Sequence, residues 1–163
     1  MLAGFKDSLG NFAIPLLPLQ ILWINLVTDG FPALALGVDP ITDKVMHRKP
    51  RNPKENIISK NMIMNIFFTG IIFALGSLFL FYINLDNIPK AQTMVFTSIV
   101  LFELFRVNII RKQYGTKLFS NKYMLIAVVA SLLFQLAAIY TPLNKIFNTF
   151  PLEFYDWALI ISI

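Results

Sequence analysis

The sequence predicts an all-α fold: a polytopic bundle of transmembrane helices, with four full spans and a truncated fifth. Three observations carry this expectation. Of the 163 residues, 56% are hydrophobic and 14% charged, whereas a soluble domain carries roughly 25% charged residues. The apolar residues gather into runs of about 20, enough at about 1.5 Å per residue to cross a hydrocarbon core of about 30 Å. The Lys and Arg residues lie mainly in the connections between runs, and they favour every second connection.

The first span covers 16–36 and is the stretch with the most chemistry in it. It places Asn25, Thr28 and Asp29 at membrane depth, followed at once by Gly30 and Pro32. Asn25 and Asp29 are four residues apart and share one helix face, with Thr28 beside them. Gly30 permits unusual backbone angles, Pro32 has no N–H to donate, and Phe31 before it is biased away from helix. The expectation is a helix broken near Asp29, with unwound carbonyls and side-chain oxygens forming a cation site. A carboxylate at the bilayer centre costs roughly 2.5–3.5 kcal/mol on insertion scales, so it should face an interior and have a partner. The plainer alternative makes Asp29 a cap for the second half-helix and uses Asn25 and Thr28 as interhelical hydrogen bonders.

The remaining elements follow in order. Residues 37–60 form a polar loop in which Pro40, Pro50 and Pro53 oppose helix, and it carries Lys44, Arg48, Lys49, Arg51, Lys54 and Lys60. A Phe-rich second span at 62–83 contains Gly70, Gly76 and Ser77, which would let a neighbouring helix come close. Asp86, Asn87 and Pro89 supply turn chemistry before a third span at 91–110. Glu103 lies inside that span, either paired with Arg106 three residues on, or facing the same interior as Asp29 as a cation or proton ligand. After a second basic loop at 111–122, a fourth span at 123–140 contains Gln135, which reads as bonded to a neighbouring helix. Residues 154–163 begin a fifth apolar segment about half as long as a span requires, so the chain reads as cut there.

Composition excludes several classes. The net charge of +5 marks topology rather than a continuous basic face for nucleic acid. The absence of cysteine rules out disulfides and thiolate metal sites. His47, the one histidine, sits in a basic loop and reads as solvated. Met1-Leu-Ala-Gly-Phe-Lys6 is no signal peptide; Met1-Leu-Ala-Gly-Phe5 reads as the tail of a preceding helix. By the positive-inside rule, loops 37–60 and 111–122 are cytoplasmic, and Tyr140, Tyr155 and Trp157 fall near the outer interface as an aromatic belt.

The run Trp23-Ile-Asn-Leu-Val-Thr-Asp-Gly-Phe-Pro-Ala-Leu-Ala-Leu-Gly-Val-Asp-Pro40 resembles the sixth transmembrane helix of P-type cation-transporting ATPases of the calcium-pump kind. Thr28 resembles the sarcoplasmic-reticulum and bacterial type, since secretory-pathway and plasma-membrane types usually carry Met there. Asn25 argues against sodium/potassium pumps. The resemblance implies that Asn25, Thr28 and Asp29 are calcium ligands. Phe102-Glu-Leu-Phe-Arg-Val-Asn108 is similar to the eighth helix, which implies the same role for Glu103. Arg48-Lys-Pro-Arg-Asn-Pro-Lys-Glu55 resembles the loop that contacts the phosphorylation domain, which makes Arg48, Lys49 and Arg51 coupling candidates.

The implied identity is the C-terminal membrane domain, 1–163, of an ATP-driven calcium pump, in a multi-pass position in the plasma membrane. Ca²⁺ is then the transported ion, and ATP and Mg²⁺ act only through domains outside this sequence. The expected partners are the lipid bilayer, the first five helices and the cytoplasmic domains. The sequence has no Asp-Lys-Thr-Gly-Thr phosphorylation motif and no Walker loop, so it is not expected to hydrolyse ATP alone. Two other classes stand beside this one: a helical scaffold or regulatory subunit without transport activity, and an ion-coupled carrier. The carrier is disfavoured because no second NLVTDG-like half occurs.

Overall fold

The computed structural model describes residues 13–40, 58, 60–113, 116 and 120–163. These form α1 (Pro18–Trp23), a π-helical segment (Ile24–Asp29), α2 (Gly30–Leu36), α3 (Lys60–Ile83), α4 (Ile88–Gln113), α5 (Lys122–Tyr140), α6 (Asn144–Phe147) and α7 (Phe154–Ser162). No strand occurs among the described residues. Among the described residues, four stretches are long and apolar enough to cross a membrane: Pro18–Leu36, Met62–Ile83, Ile88–Gln113 and Lys122–Tyr140. The fold is therefore an all-α polytopic bundle.

The first span differs from expectation in one respect. It is not unwound at Asp29. Gly30 adopts ordinary right-handed helical angles, and α2 continues straight out of the π segment. Pro32 explains why the register changes there: without an N–H it cannot serve a carbonyl in the turn before it. Widening that turn into a π-bulge keeps the chain helical while the ladder slips by one residue. In the slipped register the carbonyl five residues before Pro32 is that of Val27, and the Ser131 hydroxyl donates to it at 3.1 Å. A neighbouring helix thus replaces the donor that Pro32 lacks, a recurrent remedy for proline in membrane helices.

Helix α4 is the centre of the bundle. Its stretch from Ala91 to Ser98 is buried throughout, and it packs against α3, the π segment, α5 and α7. It begins earlier and ends later than the sequence suggested, at Ile88 and Gln113. Pro89 sits in its first turn, where a missing N–H costs nothing. The α3–α4 hairpin turns through Asn84 and Asn87: Asn84 Nδ2 donates to Leu80 O at 3.1 Å, and Asn87 Oδ1 accepts from Lys90 N at 3.2 Å.

Small and polar residues set the close contacts, as the scarcity of hydrophobic drive inside a membrane requires. Gly76 is one of the two glycines marked for close approach, and a Cβ there would stand 2.5 Å from Ile163 Cγ2; Gly70 has open space instead. Ser77 Oγ lies 3.4 Å from Ser98 Oγ across the hairpin. Gln92 Nε2 donates to Ile14 O at 2.7 Å, and Gln20 Nε2 to Phe147 O at 3.1 Å. At the α7 end, Lys90 pairs with the buried Asp156 at 2.9 Å. Tyr140 and Trp157 form a chain, with Trp157 Nε1 donating to Tyr140 Oη and Tyr140 Oη to Leu152 O, both at 2.7 Å. The outward faces of α3 and α5 are apolar, with Phe67, Phe68, Ile126 and Leu133 all exposed.

Candidate cation site

The π segment distributes its polar side chains on two sides rather than one. Asn25 and Asp29 are exposed, on the side away from the packed core. Thr28 faces inward with Ile24 and Val27 and is 2% exposed. Thr28 therefore does not share the exposed side of the other two as the sequence suggested: it is buried with Ile24 and Val27. Its hydroxyl has no hydrogen-bond partner, although a helical Thr commonly satisfies itself on a carbonyl three or four residues back. An unsatisfied buried hydroxyl costs roughly 1–3 kcal/mol.

Glu103 comes toward this region from α4. It is half-buried, and its Oε2 is buried without a hydrogen-bond partner. No ion pair joins it to Arg106 among the described residues. Arg106 instead lines a groove of about 420 Å³ between α3 and α4, with Asn65, Thr69 and Gln113. The π segment crosses α4 where Ile24 packs with Val100 and Leu104, so Thr28 and Glu103 each lie close in sequence to that crossing. Among the described residues no three acidic or histidine side chains come together. A divalent cation such as Ca²⁺, which takes six to eight oxygens, would need further ligands beside these.

Deeper in the same interface, Gln135 Nε2 donates to Thr97 Oγ1 at 3.3 Å, while its Oε1 has no partner. Gln135 is therefore only half satisfied by the neighbouring helix. Asn108 bonds within its own helix, donating to Leu104 O at 2.9 Å.

Sequence reasoning missed a bidentate ion pair that ties three elements together. Arg111, in the last turn of α4, is 2% exposed. Its Nε donates to Asp39 Oδ2 at 3.1 Å and its Nη2 to Asp39 Oδ1 at 2.8 Å. Asn121 Nδ2 donates to the same Oδ1 at 2.9 Å and to Ala35 O at 2.8 Å. Asn121 Oδ1 accepts from Tyr123 N and Met124 N, capping α5. The Arg111 guanidinium holds the Asp39 carboxyl below its ordinary pKa; burial opposes this and Asn121 adds to it. Arg111 read as one more basic loop residue, because no local pattern links it to an aspartate 72 positions away. The coupling candidates Arg48, Lys49 and Arg51 lie outside the described residues.

Comparison with known proteins places the chain. A family model described as "Cation transporting ATPase, C-terminus" matches residues 13–163. The human "Calcium-transporting ATPase type 2C member 1" is 40% identical over 164 residues, covering 96% of this chain and 18% of that protein. The Bacillus subtilis (strain 168) "Calcium-transporting ATPase" is 39% identical over 157 residues, covering 91% of this chain and 18% of that protein. The human "Calcium-transporting ATPase type 2C member 2" is 37% identical over 150 residues, covering 85% and 16%. The chain spans less than a fifth of the length of these curated relatives. With the match extending over nearly all of its residues, the chain belongs to the P-type cation-transporting ATPases, in their C-terminal membrane region.

Proposed function

We propose that this chain supplies part of the ion site of an ATP-driven calcium pump, with Asn25, Thr28, Asp29 and Glu103 as its ligands. The observation that carries the reading is the pair of buried oxygens left without partners, Thr28 Oγ1 and Glu103 Oε2, on two elements that pack against each other. Polar groups whose role is to join helices are bonded across them, as Ser131 is to Val27. Groups left open suit a cation that arrives and leaves. Ca²⁺ is the cargo, in keeping with the names of the relatives, and the remaining oxygens come from helices outside this chain.

In this reading loops 37–60 and 111–122 are cytoplasmic, as their Lys and Arg content requires, and the host is the plasma membrane. Arg48, Lys49 and Arg51 couple the site to a phosphorylation domain that binds ATP and Mg²⁺. The test is Asp29→Ala in the complete pump. Calcium-stimulated phosphoenzyme formation from ATP should be lost, while phosphorylation by inorganic phosphate without calcium persists. Retained calcium stimulation would overturn the assignment.

A further inference from the structure

We infer that Arg111 is a positioning residue, locking the exit of the ligand-bearing first span to the ends of α4 and α5 so that Asp29 and Glu103 are held as one unit. The inference rests on the cation site proposed above. Three elements meet at one carboxylate. Asp39 follows α2 directly, Arg111 belongs to the last turn of α4, and Asn121 opens α5. Arg111 engages both oxygens of Asp39, and Asn121 shares Oδ1 while also gripping Ala35 O. Ala35 is buried against Met124 and Ala127 of α5, so the polar clamp and the apolar contact fix the same turn.

A guanidinium taken out of water is stable only with its charge and donors matched. The forked geometry does this in one orientation, because two parallel N–H···O bonds fix angle as well as distance. The consequence runs along the helices. Glu103 lies on the same helix as Arg111, about 12 Å away at about 1.5 Å per residue, and Asp29 lies a similar helical distance before the Asp39 end of the first span. With the cytoplasmic ends tied, the two carboxylates keep their separation as the bundle moves. The point where the chain leaves for the basic loop moves with them.

The test uses the complete pump, reading the calcium concentration for half-maximal phosphorylation from ATP beside calcium-free phosphorylation from inorganic phosphate. Arg111→Met should raise the calcium midpoint about tenfold, in the range of ordinary coupling between sites, with the inorganic-phosphate reaction retained. Arg111→Lys keeps the charge but not the fork, and should recover only a minor part of that shift. Asp39→Asn gives the same readout if Arg111→Met does not accumulate in membranes, and it should shift the midpoint in the same direction. An unchanged midpoint in Arg111→Met or, where that variant is not made, in Asp39→Asn, with both phosphorylation reactions lowered in proportion, would overturn the inference and leave the clamp a stability element. Asp29→Ala in the same membranes separates the two failures. If it retains calcium stimulation, the ion-site reading fails; if it is silent while Arg111→Met is unshifted, only the clamp does.

Discussion

Ser131→Ala is the sharpest probe of the π segment. Ser131 is 1% exposed, and its hydroxyl donates at 3.1 Å to Val27 O. Alanine removes that donor and little volume, so the effect isolates one hydrogen bond and one stranded carbonyl. A net bond between membrane helices averages about 0.6 kcal/mol, and an orphaned buried acceptor costs about 1–3 kcal/mol. Because Val27 is itself buried and Pro32 offers no N–H, the stranded carbonyl is not readily re-satisfied, and the loss exceeds that of an average membrane hydrogen bond. The expected loss is about 1–2 kcal/mol in local stability, a factor of about 5–30 in the opening equilibrium.

The assay is amide hydrogen exchange of the peptide covering 24–36, read by mass spectrometry on the protein in detergent micelles, where exchange reports local opening. The decisive comparison is made in a Pro32→Ala background. There the restored N–H gives the carbonyls behind it an intrahelical donor again, whichever register the turn takes. Ser131→Ala should then accelerate exchange only about twofold, leaving a coupling of roughly 1 kcal/mol between the sites. Equal acceleration in both backgrounds would show that Ser131 does not compensate for the proline, and the π segment would need a different cause.

Two further outcomes follow from the same contacts. Asp39 has a depressed pKa in the folded chain because of Arg111, so its stabilisation is fully present above its unfolded value near pH 4 and is lost as pH falls through the lower folded value; in Asp39→Asn the acid-induced loss of stability below about pH 4 should be shallower, as read from thermal unfolding midpoints across pH. Gly76→Leu drives a side chain into the Ile163 position and should cost about 1–3 kcal/mol by overpacking; the thermal midpoint should fall, and Ile163→Ala should restore part of it, whereas an unaffected midpoint would show that the α3–α7 approach adjusts freely.

The sequence made the bundle legible because membrane spans announce themselves by length and hydropathy, and α3 and α5 needed nothing more. The polar residues of the first span were legible for a related reason: Asn25, Thr28 and Asp29 stand out where apolar side chains are the rule. Their directions were not. A period of 3.6 assigns Thr28 to the side of Asn25 and Asp29, but Pro32 changes the register locally, and only the packing of Ser131 against Val27 decides how. The clamp was hidden for another reason. Asp39, Arg111 and Asn121 each look like ordinary loop chemistry, and their pairing is set by which helix ends the bundle brings together.

The two hidden features bear on one problem. In the function proposed above, the first span offers oxygens to a passing ion and so leaves polar groups unbonded, yet each such group weakens the helix that holds it. In this chain the backbone cost of Pro32 is met by Ser131, which keeps the π segment helical and leaves the Thr28 hydroxyl open. The orientation of that segment is then held from its end, where Arg111 and Asn121 take Asp39 and Ala35. Stability is placed at the serine and the clamp so that it need not be placed at Thr28, Asp29 or Glu103. A substitution that bonded those open groups to a neighbouring helix would stabilise the bundle and, on this reasoning, weaken its hold on the ion.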